Sequence, residues 1–137
     1  MNFEDAMIKC QSDGGFIASI LSEKDQEHLK ELLKATSDVG TVYIGINDRE
    51  EEDVWQWVDG SPYGFKNWNV GEPNDWDSDE DCTHTNGGGW NDIACSSEEN
   101  FVCKLYEPRR GQTSLQLNIK TEGSSFPSFP VWYRYNR

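Results

Sequence analysis

From Ser61 to Trp90 the chain carries few aliphatic side chains and many Gly, Asn, Asp and Trp, so neither the helical nor the strand period fits it. It reads as a long structured loop, and long ordered loops in compact domains are commonly functional. Something other than an aliphatic core must hold such a segment. Glu72, Asp75, Asp77, Asp79, Glu80 and Asp81 crowd into residues 72–81, and Asp48, Glu50, Glu51, Glu52 and Asp53 into residues 48–53. These two runs hold 11 of the 25 acidic residues. Most acidic runs are simply solvated, but like charges at this density repel and would open the loop unless a cation neutralises them. Carboxylates, Asn amides and backbone carbonyls form an oxygen-only donor set, which suits Ca2+ with its roughly 6–8 ligands. Zinc and copper want the His and Cys that this region hardly provides, and His84 alone does not supply them. Asp75, Asp77 and Asp79 mimic the opening of an EF-hand. Glu80 stands where its turn Gly belongs and Asn86 where its bidentate Glu belongs, so that reading is rejected.

The rest of the composition narrows the class. A chain of 137 residues suits one domain. Its net charge of −13 argues against a nucleic-acid partner or an anionic membrane surface. The 6 Trp, 5 Tyr and 6 Phe indicate a folded chain despite low hydrophobic content. No window reaches the length of a membrane span, so membrane insertion is not expected. Met1 to Asp5 lacks the basic and apolar segments of a signal peptide and is read as the start of a mature or trimmed chain. Cys10, Cys82, Cys95 and Cys103 contain no C-x-x-C, which disfavours a zinc ribbon or a redox pair. Four cysteines in a small chain imply two disulfides and an oxidising, extracellular compartment, with three pairings open.

Local pattern predicts an α+β order. Phe3, Ala6, Met7 and Cys10 follow helical spacing up to Gly14-Gly15, and a short apolar run spans 16–20. Ser22 is a helix N-cap with Asp25 as capping-box partner, ahead of a stripe of Leu29, Leu32 and Leu33. Val42, Ile44 and Ile46 alternate as a strand, and Val54 to Val58 carries Trp55 and Trp57 on one face before an Asp59-Gly60 turn. Phe101 to Leu105 is a strand and Glu107 to Gly111 a break. Alternating Leu115, Leu117 and Ile119, a Gly-Ser-Pro stretch and a strand-like Val131 to Tyr135 follow. Catalysis finds little support, and a hydrolase stands as a rival that predicts glycan turnover rather than retention. There is no G-x-S-x-G, the two histidines lie far apart, and Asp77 with Glu80 would be a glycosidase pair only if their pKa values were driven apart.

The motifs Tyr43-Ile44-Gly45-Ile46, Trp55-Gln56-Trp57, Asp59-Gly60, Asn67-Trp68, Gly71-Glu72-Pro73-Asn74, Asp81-Cys82, Trp90-Asn91-Asp92, Cys95 and Phe101-Val102-Cys103-Lys104, in that order, resemble the C-type lectin domain. The resemblance runs from about Phe3 to Leu105. It implies an α+β fold of two helices, small antiparallel sheets and a long Ca2+-stabilised loop, with disulfides Cys10 to Cys103 and Cys82 to Cys95. It also implies a sugar-binding Ca2+ held by Glu72, Asn74, Glu80, Asn91 and Asp92. There, neighbouring sugar hydroxyls would donate to Glu72 or Glu80 and accept from Asn74 or Asn91. Pro73 would follow a cis peptide. A second Ca2+ would be held by Asp48, Glu52, Asp75 and Asp81 with the backbone carbonyl of Glu80, clamping the two acidic runs together and linking loop folding to the ions. Glu50, Glu51, Asp53, Asp77 and Asp79 are left as solvated charge.

Glu72-Pro73-Asn74 is the family's mannose-type arrangement. Trp76 stands where galactose-binding members often place a stacking ring, with Gly87-Gly88-Gly89 as room for it, so galactose is the competing ligand. Trp55, Trp57, Trp68 and Trp90 match scaffold positions. The resemblance thus implies a secreted, non-enzymatic, Ca2+-dependent carbohydrate-binding domain, gaining useful avidity by oligomerising and releasing sugar as protons compete with the ions. The rival is a lectin-like module that binds protein or ice and keeps Ca2+ only as structure. Residues 1–105 are read as the domain, lacking the family's opening strand, and 106–137 as an extension. Within it, 131–135 is expected to pair with 101–105 in place of that strand, bringing Arg137 near Met1, or to swap into a partner chain. An unstructured tail is the other expectation.

Overall fold

The computed structural model describes residues 1–36, 39–74, 79–119 and 129–136, with backbone alone at 129–131 and 136. Helix α1 spans Phe3–Ser12 and buries Phe3, Ala6 and Cys10, the predicted stripe, with the Asn2 side chain accepting from the Asp5 amide as its cap. Strand β1 is Phe16–Ile17, and helix α2 is Glu23–Lys34. Ser22 Oγ caps α2 by accepting from the Asp25 amide at 3.1 Å. The Asp25 carboxylate returns a bond to Leu21 N at 2.9 Å, one residue beyond the usual capping-box partner.

Strands β2 (Val42–Ile44), β3 (Ile46–Asn47), β4 (Gln56–Trp57), β5 (Cys82–Thr85), β6 (Trp90–Ile93), β7 (Asn100–Glu107), β8 (Gln112–Ile119) and β9 (Phe129–Asn136) follow. They form a sheet in the order β6-β5-β2-β7-β8-β9, with β1 also on β7, and a separate β3-β4 ribbon. β2 runs parallel to β7, and the other pairs are antiparallel. The predicted alternation along β2 is present, but both faces are covered. Val42 and Ile44 join a cluster with Leu29, Leu32, Trp57 and Trp90, while Tyr43 joins Phe3, Ala6, Cys10 and Phe101 on the other side. Of the strand expected over 54–58, only Gln56–Trp57 pairs.

Disulfides join Cys10 to Cys103 and Cys82 to Cys95. The second closes residues 82–95, and just beyond it the Tyr43 hydroxyl donates to Ser97 O at 2.6 Å. Burial, reinforced by the Glu99 and Glu98 charges, pushes the Tyr43 phenol well above its ordinary value, so it stays a donor.

The loop is anchored where it meets β6. Trp90 N donates to Asn67 O at 2.8 Å and Asn69 N to Trp90 O at 2.9 Å. Trp68 packs edge-on against both Trp55 and Trp90, and Trp57 against Trp90, so the four tryptophans are scaffold as expected. Gln26 of α2 reaches across, donating to Gly87 O at 2.8 Å and accepting from Trp90 Nε1 at 3.0 Å. A Cβ on Gly89 would stand 1.9 Å from Asn69 Oδ1, so that side chain would have to move. The triple glycine presents its carbonyls to Gln26, Asn67 and Thr85. Its expected service to Trp76 lies outside the described residues.

The C-terminal extension departs from expectation. The strand against 101–105 is β8, in the register Phe101↔Asn118 to Glu107↔Gln112. Residues 131–135 lie one strand further out, paired with β8. The 3-10 turn Pro108–Arg110, ending on Gly111 at φ 57°, reverses the chain at once. A hairpin closed over so few residues costs less loop entropy than one reaching back from residue 131. Nor is β8–β9 an unstructured tail. Leu115 and Leu117 sit in the main core, and Tyr133 and Tyr135 pack against it. The neighbourhood expected for Arg137 lies outside the described residues.

His28 of α2 stacks on Tyr135, with ring centroids 3.8 Å apart, and lies 5.4 Å from the ring of Tyr133. Its Nδ1 is buried without a hydrogen-bond partner. Desolvation lowers its pKa below the ordinary 6.5, with Lys24 adding to this and Asp25 opposing it. The fold thus favours the neutral ring. Stability from this site is complete above the unfolded pKa and is lost as pH falls through 6.5 towards the depressed folded value. We expect urea denaturation of His28→Phe to fall less than wild type between about pH 7.5 and 5.5, and parallel curves would contradict this.

Candidate metal and sugar site

The site lies where the long loop meets β5 and β6. Asp48 follows β3, is 2% exposed, and its amide donates to Asp81 O at 3.0 Å, joining the first acidic run to the second. Asp48 Oδ2 also accepts from Asp53 N at 2.9 Å, closing a turn in which Asp53 has φ 65°. Carboxylate oxygens of Asp48, Glu52 and Asp81 lie within 4.8 Å of one another. Asp81 Oδ1 is buried and has no hydrogen-bond partner. Three clustered carboxylates with such an oxygen fit a hard cation. Asp75, the fourth residue expected here, is outside the described residues.

The second group is built on the turn Asn69–Glu72, closed by Glu72 N donating to Asn69 O at 2.9 Å with Gly71 at φ 86°. The Glu72–Pro73 peptide is cis. Asn74 N donates to Asp92 Oδ1 at 3.1 Å, tying the loop to β6, where Asp92 is fully buried. Glu72 Oε1 is buried without a hydrogen-bond partner. Burial raises the Glu72 pKa first. A hydrogen bond with Asp92 and repulsion from Asp92 and Glu80 raise it further, against a lowering backbone bond from Asn74. Three carboxylates therefore face one another from the loop and β6, an arrangement whose mutual repulsion a cation relieves.

Asn91 precedes Asp92 in β6 and is opposite His84 in β5. Glu72 and Asn91 share a polar cleft of about 310 Å3 with Thr41, Asn69, His84 and Asn86. Glu72, Asn74, Glu80, Asn91 and Asp92 are thus brought to one place, and Asp48, Glu52 and Asp81 to another, while Trp76 lies outside the described residues. Sequence reasoning weighed His84 only as a zinc or copper ligand and set it aside. Its Nδ1 bonds Glu99 Oε1 and its Nε2 meets Asn91 Nδ2 at 3.2 Å. Centring a hairpin on Gly87-Gly88-Gly89 would have set His84 and Asn91 opposite each other.

The lectin C-type domain family profile matches residues 1–105. CD209 antigen-like protein 2 of Macaca mulatta is 40% identical over 106 residues, covering 75% of this chain and 40% of that protein. The chain spans less than half the length of the curated relatives it matches. Among solved structures, the carbohydrate-recognition domain of mouse scavenger receptor C-type lectin is 37% identical with a TM-score of 0.67, covering 74% of this chain and 80% of that one. The C-type carbohydrate-recognition domain of cow CD23, solved in the presence of GlcNAc2Man3 oligosaccharide, is 31% identical with a TM-score of 0.68, covering 75% and 78%. The chain belongs to the C-type lectin domain family, a family of non-enzymatic carbohydrate-binding proteins.

Proposed function

We propose that this chain binds carbohydrate in a Ca2+-dependent manner through Glu72, Asn74, Glu80, Asn91 and Asp92, with mannose-type sugars favoured over galactose. The convergence of the Glu72, Glu80 and Asp92 carboxylates, marked by the raised Glu72 pKa, carries the reading. A bound Ca2+ supplies the neutralising charge and open oxygen-coordination positions. Glu72 and Glu80 accept hydrogen bonds from two neighbouring sugar hydroxyls, and the amide groups of Asn74 and Asn91 donate to them. The bond from Asn74 N to Asp92 holds the loop against β6 while this happens.

Glu72-Pro73-Asn74 sets carboxylate before amide, the order that supports the mannose preference, and Trp76 is the residue that would favour galactose. Asp48, Glu52 and Asp81, with Asp75 and the Glu80 carbonyl, would hold a second ion. Residues 1–105 form the lectin domain and 106–137 an extension of it. The domain is secreted and acts as an oligomer, since one shallow polar site binds a single sugar weakly.

A glycan array read with Ca2+ and with EDTA tests the reading. We expect signal on mannose-terminated glycans, abolished by EDTA. Galactose-only signal would overturn the specificity, and the lack of any Ca2+-dependent signal would favour a module that binds protein or ice.

A further inference from the structure

A line of four polar side chains crosses the sheet beside Glu72. Thr41 precedes β2, Glu99 precedes β7, His84 is in β5 and Asn91 in β6. Thr41 Oγ1 donates to the Glu99 carboxylate at 3.0 and 3.1 Å, Glu99 Oε1 bonds His84 Nδ1, and His84 Nε2 meets Asn91 Nδ2 at 3.2 Å. The His84 and Glu99 side chains are only 16% and 14% exposed, so water competes little for these bonds.

The chemistry of the groups gives the line a direction. An ionised carboxylate only accepts, so His84 Nδ1 carries the proton. An amide NH2 only donates, so the bond between Asn91 Nδ2 and His84 Nε2 needs Nε2 as its acceptor. The flipped amide would instead oppose Oδ1 to that lone pair. With NH2 on His84, the planar amide turns Oδ1 away from the ring and retains one unused N–H.

We infer that His84, held in its Nδ1–H form by Glu99, is a positioning residue that selects the Asn91 amide orientation in which Oδ1 remains for a cation and one N–H for a sugar hydroxyl. This rests on the role proposed for Asn91 above. Packing alone would need only an aromatic ring at position 84, whereas positioning needs an acceptor at Nε2.

Two measurements test it. Long-range 1H–15N correlation spectra of the metal-free chain at neutral pH should show His84 protonated at Nδ1 and bare at Nε2, and a proton on Nε2 overturns the inference. His84→Phe keeps a ring without the acceptor, and His84→Gln restores an acceptor oxygen. We expect His84→Phe to weaken Ca2+ affinity, measured by calorimetry on the ion alone, and mannose affinity at saturating Ca2+, each by about tenfold. His84→Gln should recover most of both, and circular dichroism in EDTA should show both variants folded. Wild-type Ca2+ affinity in His84→Phe, or no recovery in His84→Gln, overturns the inference. Absence of glycan binding by wild type would instead defeat the proposed function, and the tautomer and Ca2+ measurements would still decide the role of His84.

Discussion

Deleting residues 111–137 is expected to leave a chain that does not fold cooperatively at ordinary temperature. β8 is not an appendage. Leu115 and Leu117 are 2% and 0% exposed and share one cluster with Leu29, Leu32, Trp90 and Val102. Losing each leucine costs about 2–5 kcal/mol, and a domain of this size holds only about 5–15 kcal/mol in total. The deletion also strips β7 of its partner from Phe101 to Glu107 and so opens a sheet edge. The milder Leu117→Ala should fold and lose about 3 kcal/mol, lowering the thermal midpoint by about 5–15 °C. Circular dichroism melting checks both. A deleted chain melting within a few degrees of wild type would show that the extension is dispensable.

The reason this was hard to read from sequence is instructive. Leu115, Leu117, Ile119 and residues 131–135 announce themselves as strands by alternation and aromatic content, but alternation names no partner. Pairing is decided by which loop closes most cheaply, and Pro108 to Gly111 supplies a tight reversal that the pattern shows only as a break. The helices and their buried faces were legible because caps and stripes are local, although the end of α2 at Lys34 was not marked. Ser22 and the Leu29, Leu32, Leu33 face act within a few positions of one another. Tyr43 illustrates an intermediate case, since period two places its side chain opposite Val42 and Ile44 but does not reveal that α1 covers the second face. The carboxylates that the fold brings together, Asp48, Glu52 and Asp81 in one group and Glu72, Glu80 and Asp92 in the other, stand out in the sequence through acidic density and motif. His84 does not, since one histidine carries no pattern of its own, and its partners Glu99 and Asn91 lie 15 and 7 positions away.

Replacing Glu72 by Gln should separate fold from function. The carboxyl of Glu72 has a raised pKa because burial, Asp92 and Glu80 disfavour its charge. A neutral isostere removes that penalty, so the metal-free variant should be at least as stable in EDTA as wild type. Its Ca2+-dependent sugar binding should fall by roughly 100-fold or more, because the cation loses a charged ligand and a sugar hydroxyl loses its acceptor. A substitution that merely damaged the loop would lower stability and binding together.

The most direct test of the central claim is calorimetric titration of the metal-free chain with Ca2+ and then with mannose, run on wild type and on Glu72→Gln. Wild type should take up mannose only after Ca2+, and Glu72→Gln should show no mannose heat at the same Ca2+ concentration. Mannose binding by wild type in EDTA, or wild-type mannose affinity in Glu72→Gln, would contradict the assignment of cation and sugar to one site.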